Sequence, residues 1–205
     1  MIQFIPNVFK ALRKCKTIVF SQIYTPYGKF VFYLNGARVG LGLRVLGILQ
    51  VHITRRGQVY IGNNCKINNG DNFNVIGRQQ NSIFWVEGVL RIGDNLGISS
   101  SAIICNHEIE IGNNVTIGGN TVIYDTDFHS LKSEQRFDKT QDKKYAKWGK
   151  VTICDNVFIG AHSTILKGVT IGENAIVGAC SLIAKDVPAN EIWAGNPAKL
   201  ISKII

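Results

Sequence analysis

A histidine stands near two carboxylates in a polar stretch at the middle of the chain. His129 lies in the segment DTDFHS, two residues after Asp127 and four after Asp125. Imidazole titrates near neutral pH, and a neighbouring carboxylate can orient the ring and raise its basicity. These residue types at this spacing predict a general base, a group that takes a proton from a nucleophile such as an alcohol. Spacing makes Asp127 the first choice as the orienting carboxylate, with Asp125, or neither, as the alternatives.

The sequence around this histidine is a tandem repeat that stops where the histidine lies. IGNN or a close variant begins at residues 61, 92, 111, 153 and 171, so successive copies are 31, 19, 42 and 18 residues apart. An aliphatic residue recurs every six positions, and a small or β-branched residue follows four positions after many of them. The 42-residue interval exceeds 18 by 24 residues. A long polar loop that carries His129 is therefore predicted over residues 125–150.

A six-residue unit of this kind is typical of one short strand followed by one turn. Three units close one coil, and successive coils stack their strands in parallel about 4.8 Å apart. The glycines of the repeats are predicted to stand at the corners, where a missing Cβ tolerates unusual backbone angles. They are Gly62, Gly93, Gly112, Gly160 and Gly172. Rigid coils on both sides would then hold the loop, and His129 on it, at one corner.

The tandem pattern [LIV]-G-x-x-[small]-x resembles the hexapeptide-repeat acyltransferases from about residue 57 to residue 205. The ending DVPANEIWAGNPAKLI is similar to the end of that family's chains. Within the family, the sequence is most similar to the sugar O-acetyltransferases of the galactoside, maltose and surface-polysaccharide kind. The resemblance implies an all-β fold: a left-handed parallel β-helix with a short N-terminal helical segment, a long inserted loop and a short C-terminal helix. The expected boundaries are 1–35 for the N-terminal segment, 36–205 for the β-helix domain and 188–205 for its C-terminal cap.

The resemblance also implies roles for individual residues. His129 matches the histidine that deprotonates the acceptor, and the backbone N–H of Ala161 matches the donor that holds the oxyanion. The residues that match coenzyme A contacts are Gly160, Ala161, Ala179, Lys185 and Lys199. The residues that match acceptor contacts are Ser99, Ser100 and Asn106.

The implied acyl donor is acetyl-CoA, and the implied assembly is a homotrimer with active sites between its subunits. No metal is expected, because a zinc-bearing relative of this fold would need closely spaced histidines and an H-x4-H pair is absent.

Charge and composition narrow the partners. The chain has 23 Lys and Arg against 14 Asp and Glu, a formal net charge of +9, which favours an anionic partner. No nucleic-acid-binding module is recognised, so nucleic acid is not expected. Five cysteines without a C-x-x-C pair fit a reducing compartment, the cytoplasm.

The first 35 residues mix apolar and basic residues. Lys10, Arg13, Lys14 and Lys16 interrupt any apolar run long enough to span a membrane. Two interpretations stay open: a helix that caps the first coil, or an interfacial segment that binds an anionic membrane at its inner face.

The expected function is acetyl-CoA-dependent O-acetylation of a sugar hydroxyl in surface-polysaccharide synthesis, by direct transfer with His129 as the base. N-acetylation of an amino sugar nucleotide and O-acetylation of serine are the enzymatic alternatives. A β-helix assembly scaffold without catalysis is the alternative from a different class. The acceptor itself depends on the shape of the site and stays open.

Overall fold

A computed structural model describes residues 4–70, 73–74, 76 and 80–204. Its body is a prism with three faces, because consecutive strands fall on three parallel sheets in turn. Face A contains β1 (Arg38–Val39), β4 (Gln58–Ile61), β7 (Val89–Ile92), β10 (Glu108–Ile111), β13 (Val151–Ile153) and β16 (Thr170–Ile171). Face B contains β2 (Arg44–Leu46), β5 (Lys66–Asn68), β8 (Gly97–Ser99), β11 (Thr116–Ile117), β14 (Phe158–Ile159) and β17 (Ile176–Val177). Face C contains β3 (Gln50–Ile53), β6 (Ile83–Val86), β9 (Ala102–Cys105), β12 (Val122–Tyr124), β15 (Thr164–Ile165) and β18 (Leu182–Ile183).

The six-residue period places one aliphatic column inside each face. On face A, Ile111 lies beside Ile92 in one direction and Ile153 in the other, and all three are nearly or fully buried. Complete burial of one such side chain contributes about 1.5–3 kcal/mol. The stacked columns form one continuous core, and the predicted parallel β-helix is confirmed.

At the first corner, which joins face A to face B, the glycine and the asparagine of each IGNN unit have different roles. The asparagine in the fourth position takes the left-handed conformation, as at Asn64 (φ +57°) and Asn114 (φ +58°). A Cβ on Gly62 would lie 2.5 Å from the carbonyl carbon of Gly93 in the next coil. The prediction that these glycines provide unusual backbone angles is therefore wrong. They permit close stacking of coils, while asparagine supplies the left-handed turn.

The C-terminal cap is a β-hairpin and not the predicted short helix. β19 (Glu191–Gly195) continues face B in parallel with β17, and β20 (Ala198–Lys203) returns antiparallel beside β19. Glu191 of β19 is buried and Ile192, Trp193 and Ala194 are half-buried, whereas β20 is exposed beyond Ala198.

The N-terminal helix α1 (Phe4–Leu34) lies against the first coil. Phe32 is completely buried and contacts Phe84 edge-on, and Gly28 lets the helix approach Val45 of β2 closely. From residue 6 to residue 19 every described side chain is exposed. Within the described residues, no helix is both long enough and apolar enough to cross a membrane.

Candidate active site

The predicted loop leaves the prism at the third corner, which joins face C to face A, between β12 and β13. Its two ends run side by side: the Asp127 N–H donates to the Lys147 carbonyl at 2.8 Å, and the Gly149 N–H donates to the Asp125 carbonyl at 3.0 Å. Two short helices lie inside it, α2 (Ser133–Arg136) and α3 (Lys139–Tyr145). Residues 125–150 are thus a folded unit, which we call the insertion.

His129 pairs with a carboxylate from within the insertion. Its Nδ1 lies 2.7 Å from Oδ2 of Asp142, whose Oδ1 accepts the Ser130 N–H at 2.6 Å. The hydrogen bond from the His129 ring, followed by that from Ser130, holds the pKa of the Asp142 carboxyl below its ordinary value. Ionised Asp142 accepts the proton-bearing Nδ1, so Nε2 keeps its lone pair. The His129 side chain is 69% exposed, which leaves Nε2 accessible to a substrate.

A side chain caps the first turn of helix α3, and this cap fixes the start of the helix that carries Asp142. The side chain of Asp138 accepts the N–H groups of Thr140 and Gln141 at 2.8 and 3.2 Å. An aspartate at this position satisfies donors that a helix leaves free at its start. Asp142 lies one turn further on, where its carboxylate meets His129.

Asp127 does not orient His129, so this prediction is wrong. Its carboxylate lies 2.5 Å from Nζ of Lys167 in the next coil. Phe128, between Asp127 and His129, has a left-handed φ of +63°, so the chain turns between the two side chains. Closeness in sequence here does not produce contact in space.

Asp125 also has another task. It is fully buried and accepts the backbone N–H groups of Asn106, His107 and Glu108 at 2.7 to 2.8 Å. A buried carboxylate requires such donors, because an unpaired one would be very costly. Asp125 therefore fastens the start of the insertion to the preceding coil, and neither carboxylate of DTD contacts the ring.

At the second corner, which joins face B to face C, several backbone N–H groups lack an acceptor in the described part of the chain. Within the described residues, the N–H groups of Gly119, Ala161 and Ala179 donate to no acceptor. These residues occupy the same position in successive coils. The coils stack closely here, because a Cβ on Gly160 would lie 2.5 Å from the Ala179 nitrogen. Ala161 and Ala179, both predicted site residues, thus belong to one column of free N–H groups.

Hydroxyl groups hold the carbonyls at this corner. Ser163 donates to the carbonyl of Gly160 at 2.8 Å, and Ser181 donates to that of Gly178 at 2.7 Å. Because the carbonyls are engaged on the inner side, the peptide planes are fixed and the N–H groups point elsewhere. Such prearranged donors suit a developing oxyanion.

Lys185 and Lys199 come together at the C-terminal end of the prism. Both line a cavity of about 310 Å³ between β18 and the terminal hairpin, with Trp193 and Pro197 among its other walls. Two exposed ammonium groups beside an apolar wall fit a phosphorylated ligand that also carries a ring.

The predicted acceptor residues are separated by the structure. Ser100 is fully buried, has a φ of +43°, and its Oγ accepts the Gly70 N–H at 3.2 Å, so an acceptor contact is excluded. Ser99 lies on β8 of face B, away from the insertion. Asn106 lines a cleft beside the insertion, and its Oδ1 is buried without a partner among the described residues.

This cleft of about 360 Å³ lies between face C and the insertion, and we call it the acceptor cleft. Its lining residues are Ile83, Trp85, Glu87, Ile104, Asn106 and Phe128. Lys143 of α3 pairs with Glu87 at 2.8 Å, and this hydrogen bond lowers the pKa of the Glu87 carboxyl. The cleft therefore combines aromatic walls with a charged carboxylate and a free amide oxygen, a set suited to the mixed apolar and hydroxyl surface of a sugar.

In the described part of the chain, no group of three histidine, cysteine or acidic side chains is arranged to hold a metal ion. The groups that the structure offers for chemistry are a base, backbone N–H donors and cationic side chains.

Comparison with known proteins agrees with this geometry. The family described as bacterial transferase hexapeptide (six repeats) matches residues 150–185. A Saccharomyces cerevisiae protein, the candidate acetyltransferase YJL218W, is 41% identical over 114 residues, which cover 55% of each chain. The chain thus spans about half the length of this curated relative.

Solved structures of AntD, an N-acyltransferase from Bacillus cereus, are similar over most of the chain. A mutant of AntD in complex with dTDP and coenzyme A matches with a TM-score of 0.65 and 26% identity, over 82% of this chain and 84% of AntD. AntD in complex with dTDP and 3-hydroxybutyryl-CoA matches with a TM-score of 0.66 and 25% identity, over 88% and 87%.

Proposed function

We propose that this chain belongs to the hexapeptide-repeat acyltransferase family, whose fold is the left-handed parallel β-helix, and that it transfers an acetyl group from acetyl-CoA to a hydroxyl of a sugar. The observation that carries the proposal is the hydrogen bond between Nδ1 of His129 and Asp142. It leaves Nε2 as an exposed proton acceptor on a folded support. We place the reaction in the cytoplasm and in the assembly of a surface polysaccharide.

His129 acts as the general base. As the sugar hydroxyl attacks the thioester carbonyl, its proton passes to Nε2, and the ionised Asp142 stabilises the imidazolium that forms. The proton is then available for the thiolate that leaves when the carbon–sulfur bond breaks. No group of this chain needs to be acylated in such a direct transfer.

The Ala161 N–H holds the oxygen of the reacting carbonyl. Negative charge grows on that oxygen during attack, and a donor already in place stabilises it without reorganisation. The free N–H of Ala179, one coil further on, and the cavity with Lys185 and Lys199 extend the same line toward the phosphate end of coenzyme A. Acetyl-CoA, when bound, supplies the activated acyl group.

A homotrimer completes the site. His129 belongs to the third corner and Ala161 to the second, so a whole face of the prism separates base and oxyanion donor in one chain. A neighbouring copy related by three-fold symmetry can bring its second corner to the insertion of the first. The site then lies between two subunits, with the acceptor cleft on the side of the base.

N-acylation of an amino sugar nucleotide is the second candidate, favoured by the likeness to AntD over 82–88% of this chain. The His129–Asp142 pair favours oxygen as the nucleophile, because a hydroxyl must lose its proton as it attacks. Serine O-acetylation and a non-catalytic scaffold rank below both, since the acceptor cleft has aromatic walls and the donors of the second corner are free.

A thiol-release assay tests the proposal. Acetyl-CoA is mixed with sugars, amino sugars, sugar nucleotides and serine, and free coenzyme A is measured with a thiol reagent. His129→Ala should lower turnover about 10²–10⁴-fold with coenzyme A affinity retained, whereas Leu131→Ala, an exposed neighbour, should not.

The product separates the candidates. An acetyl ester is cleaved by mild alkali, whereas an acetamide survives, so alkali-stable product would favour N-acylation. Absence of both thiol release and coenzyme A binding, measured by calorimetry, would leave the scaffold.

A further inference from the structure

The net positive charge of this chain belongs to its first 70 residues. Residues 1–70 contain ten lysines and arginines and no aspartate or glutamate, whereas residues 71–205 contain thirteen against fourteen. All of the net charge of +9 therefore resides in α1 and in the first coils. None of the ion pairs in the described part of the chain involves these ten cations.

Helix α1 adds an apolar surface to the same end. A line of exposed residues runs along its whole length at spacings of three and four, and we call it the α1 stripe. Its members are Val8, Leu12, Cys15, Val19, Ile23, Tyr27, Phe30 and Leu34. At 3.6 residues per turn these side chains share one side of the helix.

The α1 stripe faces away from the prism. Gly28 and Phe32 are buried against the first coil, and Tyr24 packs on Phe73, so this line of residues defines the side that touches the body. The stripe lies on the opposite side by the helical period. Intramolecular packing therefore leaves it uncovered along both the attached and the projecting half of the helix.

The cations of the projecting half lie mainly on the polar side of α1. Lys10, Arg13 and Lys14 lie on the side away from the stripe, and the Nζ of Lys16, at the edge of the stripe, lies 5.5 Å from the centre of the Phe20 ring. An apolar stripe opposite a basic face, in a helix too polar to span, is typical of a helix that lies in a membrane surface.

We infer that the N-terminal end of the prism binds an anionic membrane through the α1 stripe and the cations of residues 1–70. Exposed apolar residues of the first coil, Leu41 and Ile48, extend the contact beyond the helix. Anionic lipid supplies the negative charge that this end lacks entirely. A second copy fits less well, because α1 carries no acidic residue that could compensate the cations of a partner helix.

The inference is independent of the acyl transfer, and it orients the molecule. With its first coil on the membrane, the prism stands with the insertion and the acceptor cleft some coils above the lipid surface. Anionic acceptors held at that surface would then be presented to a bound enzyme.

Vesicle co-sedimentation of the full chain tests the inference. Binding is expected to vesicles of phosphatidylcholine mixed with phosphatidylglycerol, weaker binding to phosphatidylcholine alone, and a loss of binding as salt is raised. The variant Lys10→Gln, Arg13→Gln, Lys14→Gln should bind about 10²-fold more weakly. Leu12→Ser and Val19→Ser should each cost about tenfold.

Matched control variants are made in the insertion, which lies outside the first 70 residues. The variant Lys139→Gln, Lys144→Gln, Lys147→Gln removes the same charge, and Leu131→Ser and Phe137→Ser remove exposed apolar side chains; these should bind vesicles as the parent does. Circular dichroism checks the fold of each variant, and thiol release with a soluble acceptor is measured alongside. Absence of thiol release by the parent chain, with vesicle binding intact, would refute the acyl-transfer proposal alone.

Three results would overturn the inference. Equal binding by the helix variants and the insertion controls would show that neither the stripe nor its cations contact lipid. A fall in oligomeric mass in the serine variants, without vesicle binding by the parent, would assign the stripe to a second copy. Salt-sensitive binding to duplex DNA without vesicle binding would assign the cations to nucleic acid.

Discussion

The first and second corners of the prism are built from the same repeat and end in opposite states. At the first corner of several coils, a side chain of the following coil accepts the N–H group in the third position of the repeat: Asp94 accepts from Asn63, and Asn113 accepts from Asp94. At the second corner the same position holds Gly119, Ala161 and Ala179, whose N–H groups have no acceptor among the described residues. The same backbone geometry is thus capped at one corner and open at the other, and we propose that the open corner serves the chemistry.

The residues with a left-handed backbone conformation also differ between the two corners. At the first corner the left-handed residues other than glycine are asparagines, and Asn95, Asn114, Asn156, Asn174 and Asn190 form a ladder of side-chain hydrogen bonds of 2.9 to 3.1 Å. At the second corner the left-handed residues other than glycine are Ser100, Asn120, His162 and Cys180. Among residues other than glycine, asparagine adopts the left-handed conformation at the lowest cost. Serine, histidine and cysteine at the second corner adopt it at a higher cost.

Closing the open corner should produce the largest effect. Ala179→Asn gives the second corner the cap of the first, since the new side chain can accept the Ala161 N–H as Asn113 accepts that of Asp94. We expect kcat to fall about 10²–10³-fold, the usual effect of losing one oxyanion donor. Thiol release under saturating acetyl-CoA measures it. Ala179→Leu adds similar bulk without an acceptor, and an equal loss of kcat in that variant would show that crowding, not capping, is responsible.

Mixed trimers sharpen the same comparison. His129→Ala chains retain an open corner, and Ala179→Asn chains retain the base, so co-refolded mixtures should recover activity at about a quarter of their sites if neighbouring chains share each site. Mixtures no more active than either variant would place base and donor in one chain.

Changes to the proposed base should give the next largest effect. Asp142 accepts the Ser130 N–H with one oxygen, so Asp142→Asn would keep its oxygen there and turn its amide N–H₂ toward Nδ1 of His129. That arrangement forces the proton onto Nε2 and removes the base, with an expected loss of about 10²-fold. Asp142→Ala leaves the ring free to adopt either tautomer and should be about tenfold more active than Asp142→Asn. The pH profile of kcat distinguishes this from a loss of fold, and equal activities would contradict it.

Opening the closed corner should affect stability alone. Asn113→Ala removes the acceptor of the Asp94 N–H and a 3.1 Å bond to Asp155. We expect the free energy of unfolding to fall by about 1 kcal/mol, because the site is exposed and water replaces part of each bond. Urea denaturation measures it, and thiol release should be unchanged. A loss of activity would mean that the first corner also serves the site.

Acid should weaken the closed corner slightly and leave the open one unaffected. Hydrogen bonds from the backbone and side chain of Asn113 hold the pKa of Asp155 below its ordinary value. Its contribution is thus complete above about pH 4, the ordinary value for aspartate, and is lost as pH falls through the lower folded value. Stability curves of the parent and Asp155→Asn should converge below that range. Parallel curves would argue against the cap.

Much of the fold was predictable because the period reports a repeated environment. Ile111 and Ile153 recur in the same phase because each coil presents the same interior to the next. The separate roles of glycine and asparagine at the corners were not predictable, because both residues are typical of turns. Only the distance between stacked coils shows that Gly62 is needed for close approach. The terminal hairpin was missed because the expectation of a helix came from resemblance and not from a helical period.

The site was predictable where a repeat position defined it and unpredictable where tertiary contact did. Ala161 and Ala179 occupy repeat positions, and the structure places both in the open column. Asp142 lies thirteen residues from His129 and meets it through a helix whose only sequence signal is the capping aspartate, Asp138. Trp85 and Glu87 line the acceptor cleft from another coil, a proximity that depends on how far the insertion folds back.

A stack of identical rungs has no natural limit, and in this molecule both ends of face B are altered. Helix α1 packs on β2 of the first coil, and β20 runs against the direction of every strand in the prism beside β19. On face B, another molecule that offered a parallel strand would meet the reversed β20 instead of a parallel edge, which guards against end-to-end growth into fibres. The reversed last strand thus limits stacking on this face.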